Sequence, residues 1–290
     1  MKTAWVFPGQ GSQTIEMGTD LLALPEAKAK FAQADEVLGW SVAEICQQED
    51  KLSRTLYTQP CLYVVESVLA DLLKARGQQP DFVAGHSLGE YAALYTAGVF
   101  GFEAGLRLIK RRSELMDGAS DGMMAAVLGC DRDQLEAALQ QTPDVVLAND
   151  NNTGQVVISG SPEAVEAVLG NVKAKKAVKL NVSGAFHSPL MAEAAAEFNQ
   201  ELEAIDFHTA QIPVLSNTDP MPTTDAIALK SRLSRQMTGT VRWREVSLQL
   251  PEVGVERVVE VGPGKVLLGI IKRTCPNLTL ESVGSLADLP

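Results

Sequence analysis

The chain sets Ser87 between two glycines in "GHSLG", Gly85 to Gly89, where the apolar run Phe82-Val83-Ala84 meets the pattern of a helix. This is the G-x-S-x-G arrangement of a nucleophile elbow. Its glycines let the backbone fold sharply between strand and helix, and its serine oxygen stands exposed at the sheet edge. The adjoining helix N-terminus offers free N–H groups to a developing negative charge. The alternative at this point is a glycine-rich turn with a capping serine.

A serine needs a base, and the chain has only three histidines to supply one. His86 is adjacent to Ser87, but neighbouring side chains at a strand end diverge. His208, in the polar stretch "DFHTAQ", reads as a surface residue. His187, in "SGAFHSPLM", follows a strand-like segment and precedes a helical one, with Gly184 and Pro189 marking the corner. Sheet enzymes place their chemistry on such connections, and nucleophile before histidine is a known chain order. The alternative is a capping or buried structural histidine. No acidic residue announces itself as a third member, and a backbone carbonyl could orient the imidazole instead.

Two further features bear on what Ser87 would attack. The loop Gly9-Gln10-Gly11-Ser12-Gln13-Thr14 has Thr14 where a dinucleotide fingerprint needs its third glycine, so a Rossmann site is rejected. It reads either as an ordinary tight turn or as a loop whose Gln10 N–H joins the N–H of Leu88 as an oxyanion donor. In "GLRLIKRRSELM", Arg112 falls on the apolar stripe with Leu108 and Leu115. An inward arginine stays charged and needs an anion. That anion is either a resident carboxylate or a carboxylate of the substrate.

The elements that must position these residues alternate strand and helix on either side of a middle section of different character, which argues for α/β architecture with a parallel sheet. "TAWVF", "FVAG", "IPVLSN" and "VERVVEVG" read as its strands. A helix over "PCLYVVESVLADLLKARG" has Pro60 in its first turn. The middle section reads β-α-β-β-α-β, the ferredoxin-like order, with helices opened by Asp131 and by Ser161-Pro162. We therefore expect a hydrolase-like catalytic domain over residues 1–120 and 185–290, with a small ferredoxin-like domain over 121–184 inserted in it.

Composition narrows the setting. The chain has 290 residues, 46% of them hydrophobic, and a net charge of −11 without a long basic block, which makes nucleic acid a poor partner. No apolar run approaches a membrane span. The start is too short for a secretory apolar region, and four scattered cysteines lack metal-ligand spacing, so the expectation is cytoplasmic and metal-free. The densest basic cluster is "KAKKAVK", with Lys173, Lys175, Lys176 and Lys179; Arg232, Arg235, Lys272 and Arg273 could add to it after folding.

Five segments in order, "FPGQGSQ", "GHSLGEYAA", "RSELM", "GAFHSPLM" and "EVGPGKVL", span nearly the whole chain. Together they resemble malonyl-CoA:acyl carrier protein transacylases, and the malonyl-selecting acyltransferase domains of polyketide synthases are similar. The resemblance implies a ping-pong transfer, without a cofactor, of malonyl from coenzyme A through Ser87 to the phosphopantetheine thiol of an acidic carrier protein. It implies His187 as base and then acid, Gln10 and Leu88 N–H groups as oxyanion hole, and Arg112 as the malonate-binding residue. Phe186 matches the "AFH" type associated with malonyl over methylmalonyl. The family's histidine is oriented by a carbonyl near a V-[QR]-W segment, which assigns that carbonyl to Arg242 of "TVRW"; a proline often precedes the segment, and Thr240 stands there here. A serine hydrolase using the same pair with water, and a non-catalytic carrier-docking module, are the competing readings.

Overall fold

Four consecutive residues of the first strand, Ala4 to Phe7, are fully or almost fully buried, so this strand is covered on both faces. That is the condition of a central strand in a parallel sheet flanked by helices. A computed structural model describes residues 1–290. Its nine strands are β1 (Lys2–Phe7), β2 (Phe82–Gly85), β3 (Met123–Leu128), β4 (Val145–Asn152), β5 (Gln155–Gly160), β6 (Lys176–Lys179), β7 (Val214–Leu215), β8 (Val255–Val261) and β9 (Thr279–Val283).

They form two sheets. The larger is wholly parallel, in the order β7-β2-β1-β8-β9. The smaller is antiparallel, in the order β4-β5-β3-β6. Helices Arg132–Gln141 and Pro162–Asn171 alternate with its strands, which gives the expected β-α-β-β-α-β. Their starts follow from caps read in the sequence. Asp131 accepts from the N–H groups of Asp133 and Gln134, and Ser161 accepts from Ala164 with Pro162 behind it.

The small sheet separates its faces by alternation. Ala125, Val127 and Ile158 pack under the two helices, whereas Met124, Ala126 and Val157 join the main core of the larger unit. One side of the small sheet thus lies against the large sheet's layer, and a cleft opens between them. The contact is pinned where β4 meets segment 240–242. Val241 donates to the Ala148 carbonyl at 2.8 Å, Asp150 N–H donates to Val241 at 2.9 Å, and Thr240 Oγ1 donates to Leu147 at 2.7 Å. The Thr240 hydroxyl bond is one that a proline at this position could not make.

Two sequence expectations need correction, and two elements are new. Pro60 is the sixth residue of a helix that starts at Thr55, and lies within it instead of in its first turn. The strand expected over "IPVLSN" shrinks to Val214–Leu215. A helix over Pro25–Leu38 and the edge strand β9 were not anticipated.

Candidate active site

The elbow is held by close approach of backbones. A Cβ on Gly85 would lie 1.9 Å from the Gly89 carbonyl carbon, and one on Gly89 would lie 2.0 Å from the Phe7 oxygen. No side chain fits either gap, so both positions require glycine. The crossing leaves Ser87 itself at φ 52°, the left-handed region that non-glycine residues seldom occupy. Asn217 braces this conformation from β7's loop: its Oδ1 accepts from Ser87 N–H at 2.7 Å, and its Nδ2 donates to the Gly85 carbonyl.

His187 also has positive φ, 57°, which turns its ring back toward the elbow. Next to it, Ser188 caps the short helix Pro189–Met191 and donates to the Ala185 carbonyl at 2.6 Å. His187 Nε2 lies 2.8 Å from Ser87 Oγ, and its Nδ1 lies 2.9 Å from the Gln236 carbonyl. A carbonyl can only accept, so Nδ1 carries the proton and Nε2 is left bare to receive one from the serine. The carbonyl expected from Arg242 is therefore supplied by Gln236. The Arg242 carbonyl is occupied elsewhere, accepting from Val246 N–H at 3.0 Å.

Arg112 is fully buried beside the pair. It donates from Nη1 to Gln59 Oε1 at 2.8 Å, and from Nη2 to Gln236 Oε1 and to Ser87 Oγ, each at 3.1 Å. Its carbon lies 5.5 Å from the Tyr91 ring centre, over the ring. All of these partners are neutral, Nε has none, and no carboxylate lies within ion-pair distance. Glu90, on the far side of Gln236, accepts from its Nε2 at 2.7 Å, and burial pushes the Glu90 carboxyl above the usual range. Burial lowers Arg112 itself from its ordinary value. Burial, and next the positive charge of Arg112, pull the His187 imidazole down to about 3. The histidine is thus held neutral, the form that can take a proton.

The loops after two adjacent strands complete the site. Phe7 pairs with Gly85 across β1 and β2, so Gln10 and Leu88 lie the same number of residues beyond a shared register point. Gln10 Nε2 is tied to Thr55 at 3.0 Å. The backbone N–H groups of Gln10 and Leu88 both lack a protein acceptor, whereas that of Ser87 is taken by Asn217. Both residues line a cleft of about 490 Å³, measured with its open mouth, together with Ser87, His187, Arg112 and Phe186.

The structure thus brings all six expected site residues to one cleft. His86 is half-buried on the cleft wall with its Nε2 taken by Asn151 Oδ1 at 2.9 Å, His208 is exposed, and His187 alone has a ring nitrogen on Ser87 Oγ. Sequence reasoning missed Gln59, Gln236, Asn217 and Glu90, which hold the site from behind. Only Glu90 left a signal, an acid one residue past the elbow's last glycine.

The model of the acyl transferase domain family matches residues 4–287. A malonyl CoA-acyl carrier protein transacylase from Synechocystis sp. is 59% identical over 100% of this chain and 99% of its own. The chain belongs to the malonyl CoA-acyl carrier protein transacylase family of acyl transferases. The Escherichia coli K12 member is 38% identical over 97% of this chain and 95% of its own. The crystal structure of the Synechocystis family member superposes with a TM-score of 0.98, covering 99% of both chains. A type II polyketide malonyl-transacylase solved with its acyl-carrier protein superposes at 0.94, with 37% identity and 99% and 97% coverage. The family expected from the five motifs and the fold expected from the order of strands and helices are both borne out.

Proposed function

We propose that this protein transfers malonyl from malonyl-CoA to the phosphopantetheine thiol of an acyl carrier protein, through a malonyl ester on Ser87. The names of its full-length relatives support the substrates. In the first half, Ser87 Oγ attacks the thioester carbonyl and passes its proton to His187 Nε2. The carbonyl oxygen becomes an oxyanion in reach of the Gln10 and Leu88 N–H groups. The C–S bond breaks, and coenzyme A leaves as a thiol with the proton from His187. In the second half His187 takes the proton of the carrier thiol, whose sulfur attacks the malonyl ester. The proton then returns to Ser87 Oγ. Gln236 O keeps the imidazole in the useful tautomer throughout.

The single observation that carries the choice of acyl group is Arg112. A fully buried arginine beside the nucleophile, with neutral partners only, has an anion still to bind. The free carboxylate of malonyl supplies one, by a charge-assisted fork. Phe186, buried next to His187 on the cleft wall, limits bulk at the malonyl α-carbon. On this reading residues 1–120 and 185–290 form the catalytic domain and 121–184 the inserted small one. The thioester is itself the activated substrate, so no cofactor takes part, and the enzyme works in the cytoplasm beside its carrier protein.

The test is intact-mass analysis after exposure to malonyl-CoA. Wild type should carry one malonyl group and release it to holo-carrier protein, and Ser87→Ala should carry none while staying folded. An undiminished adduct on Ser87→Ala sinks the assignment. Rapid loss of malonyl to water without a carrier would identify a hydrolase instead.

A further inference from the structure

Strand β6 is an edge strand with every residue exposed, and it runs directly into the wall of the catalytic cleft. It pairs only with β3, antiparallel, with Ala126 opposite Val178 and Leu128 opposite Lys176. The pairing continues past the strand's end, where Leu180 N–H donates to the Met124 carbonyl at 2.9 Å. Residues opposite one another share a face. Met124 and Ala126 lie on the face turned to the large sheet's layer, so Leu180, Val178 and Lys176 lie on that face too. Lys179 pairs with Ala125 and belongs to the other face, where it is already bound to Glu166.

This register divides the basic cluster seen in the sequence. Lys179 is neutralised behind the sheet. The Lys175 stem lies against Gly129. Arg232 is buried on Asp219 and cannot join a surface patch. Lys173 and Lys175 are exposed too but precede the strand, so of the two lysines within β6 it is Lys176 that is exposed, without an ion pair and on the cleft face.

Read from the cleft outward, that face presents Leu180 at the wall, then Val178, then Lys176. Leu180 and Val178 are 36% and 38% exposed, two of the few large apolar side chains left open to water. Lys176 stands four residues from Leu180, about 13 Å along an extended strand. An apolar track that starts on the wall of the nucleophile's cleft and ends on a free cation fits a long, mostly uncharged arm with an anion at its far end.

We infer that the cleft face of β6 is the track for the phosphopantetheine arm, with Lys176 receiving the phosphate at its root. The inference rests on the transfer reading above, since that arm is the part coenzyme A and the carrier protein have in common. It assigns Lys176 a binding role in both half-reactions and gives Val178 and Leu180 the arm's methylenes to cover.

The test compares three acyl donors on the full chain: malonyl-CoA, malonyl-4′-phosphopantetheine and malonyl-pantetheine, the last without phosphate. For Lys176→Glu, KM should rise about fivefold for both phosphate-bearing donors, as expected when an exposed ion pair is lost and reversed. Its kcat, and its KM for malonyl-pantetheine, should stay within about twofold of wild type. Lys179→Gln, on the opposite face, should change none of these. Equal losses on all three donors, or none on the phosphate-bearing pair, overturn the track. So does a defect confined to transfer onto the carrier protein, which would mark a protein–protein contact. Wild type that accepts malonyl-pantetheine and ignores the phosphate overturns the track alone. Wild type that takes malonyl from no donor overturns the transfer reading and the track with it.

Discussion

Arg112 and Arg232 are both buried arginines, and the protein treats them in opposite ways. Arg232 has a resident carboxylate, Asp219, at 2.6 Å, and a second bond to the Met221 carbonyl. Arg112 is the more deeply buried of the two, yet it has only amide and hydroxyl oxygens around it. Leaving a buried charge without a directly paired counter-charge costs stability, and Glu90 reaches Arg112 only at a distance, across Gln236. A fold that accepts that cost at one arginine and avoids it at another keeps the first open for something that arrives from outside. Arg232 shows what a structural arginine looks like here, and Arg112 lacks that feature while lying against the nucleophile.

The comparison can be broken by giving Arg112 a counter-charge of its own. Gln59→Glu places a carboxylate where Oε1 now accepts from Arg112 at 2.8 Å. Malonyl-CoA acylation should fall roughly 10- to 100-fold, the value of a hydrogen bond to a charged group, because the resident carboxylate occupies the fork and repels the substrate's. Acetyl-CoA should lose far less. Equal losses with both donors, measured as initial acylation rates, would show that the fork does not read the carboxylate.

Removing the other arginine should act on folding alone. Arg232→Ala strips Asp219 and the Met221 carbonyl of their partner, at a cost of roughly 1–3 kcal/mol, held down by the partial exposure of Asp219. Denaturant unfolding should show that loss, while the malonyl-to-acetyl ratio stays at its wild-type value. A changed ratio would mean that Arg232 also shapes the site.

The smallest effect is on pH. With its imidazole pulled to about 3, His187 is already neutral at ordinary pH. The base is therefore ready, and serine acylation should show no acid limb near the usual histidine value of about 6.5. In Gln59→Glu the added negative charge offsets Arg112, the protonated imidazole is less disfavoured, and any acid limb should move upward. The pH dependence of kcat/KM for malonyl-CoA checks both. A wild-type limb near 6.5 would contradict the burial and charge effects assigned to His187.

How much of this was legible in the sequence depended on whether a residue's reason was local. The Ser87 elbow could be read because Gly85 answers a collision with a near neighbour, Gly89, even though Gly89 itself makes room for the distant Phe7. Arg112 could be read because helical periodicity alone aims it inward. Its company could not, since Gln59 and Gln236 come from distant segments and no pattern announces a neutral amide. Gln236 lies 49 residues beyond His187, and its main-chain oxygen carries no trace in residue type. Assigning that carbonyl to Arg242 of "TVRW" missed it by six positions, since Gln236 lies before that segment. The small sheet's strand order followed from its β-α-β-β-α-β pattern, whereas the face on which each lysine of β6 falls needed the register with β3.

The central claim is that Arg112 selects the acyl group by its carboxylate, and one competition measures it. Wild type and Arg112→Ala are each exposed to equal concentrations of malonyl-CoA and acetyl-CoA, and the adducts on Ser87 are counted by intact mass. Wild type should carry malonyl almost alone. Arg112→Ala should keep its fold and its acetyl labelling, and its malonyl share should drop by about 10-fold or more. An Arg112→Ala protein that still carries malonyl in the wild-type proportion would contradict the account.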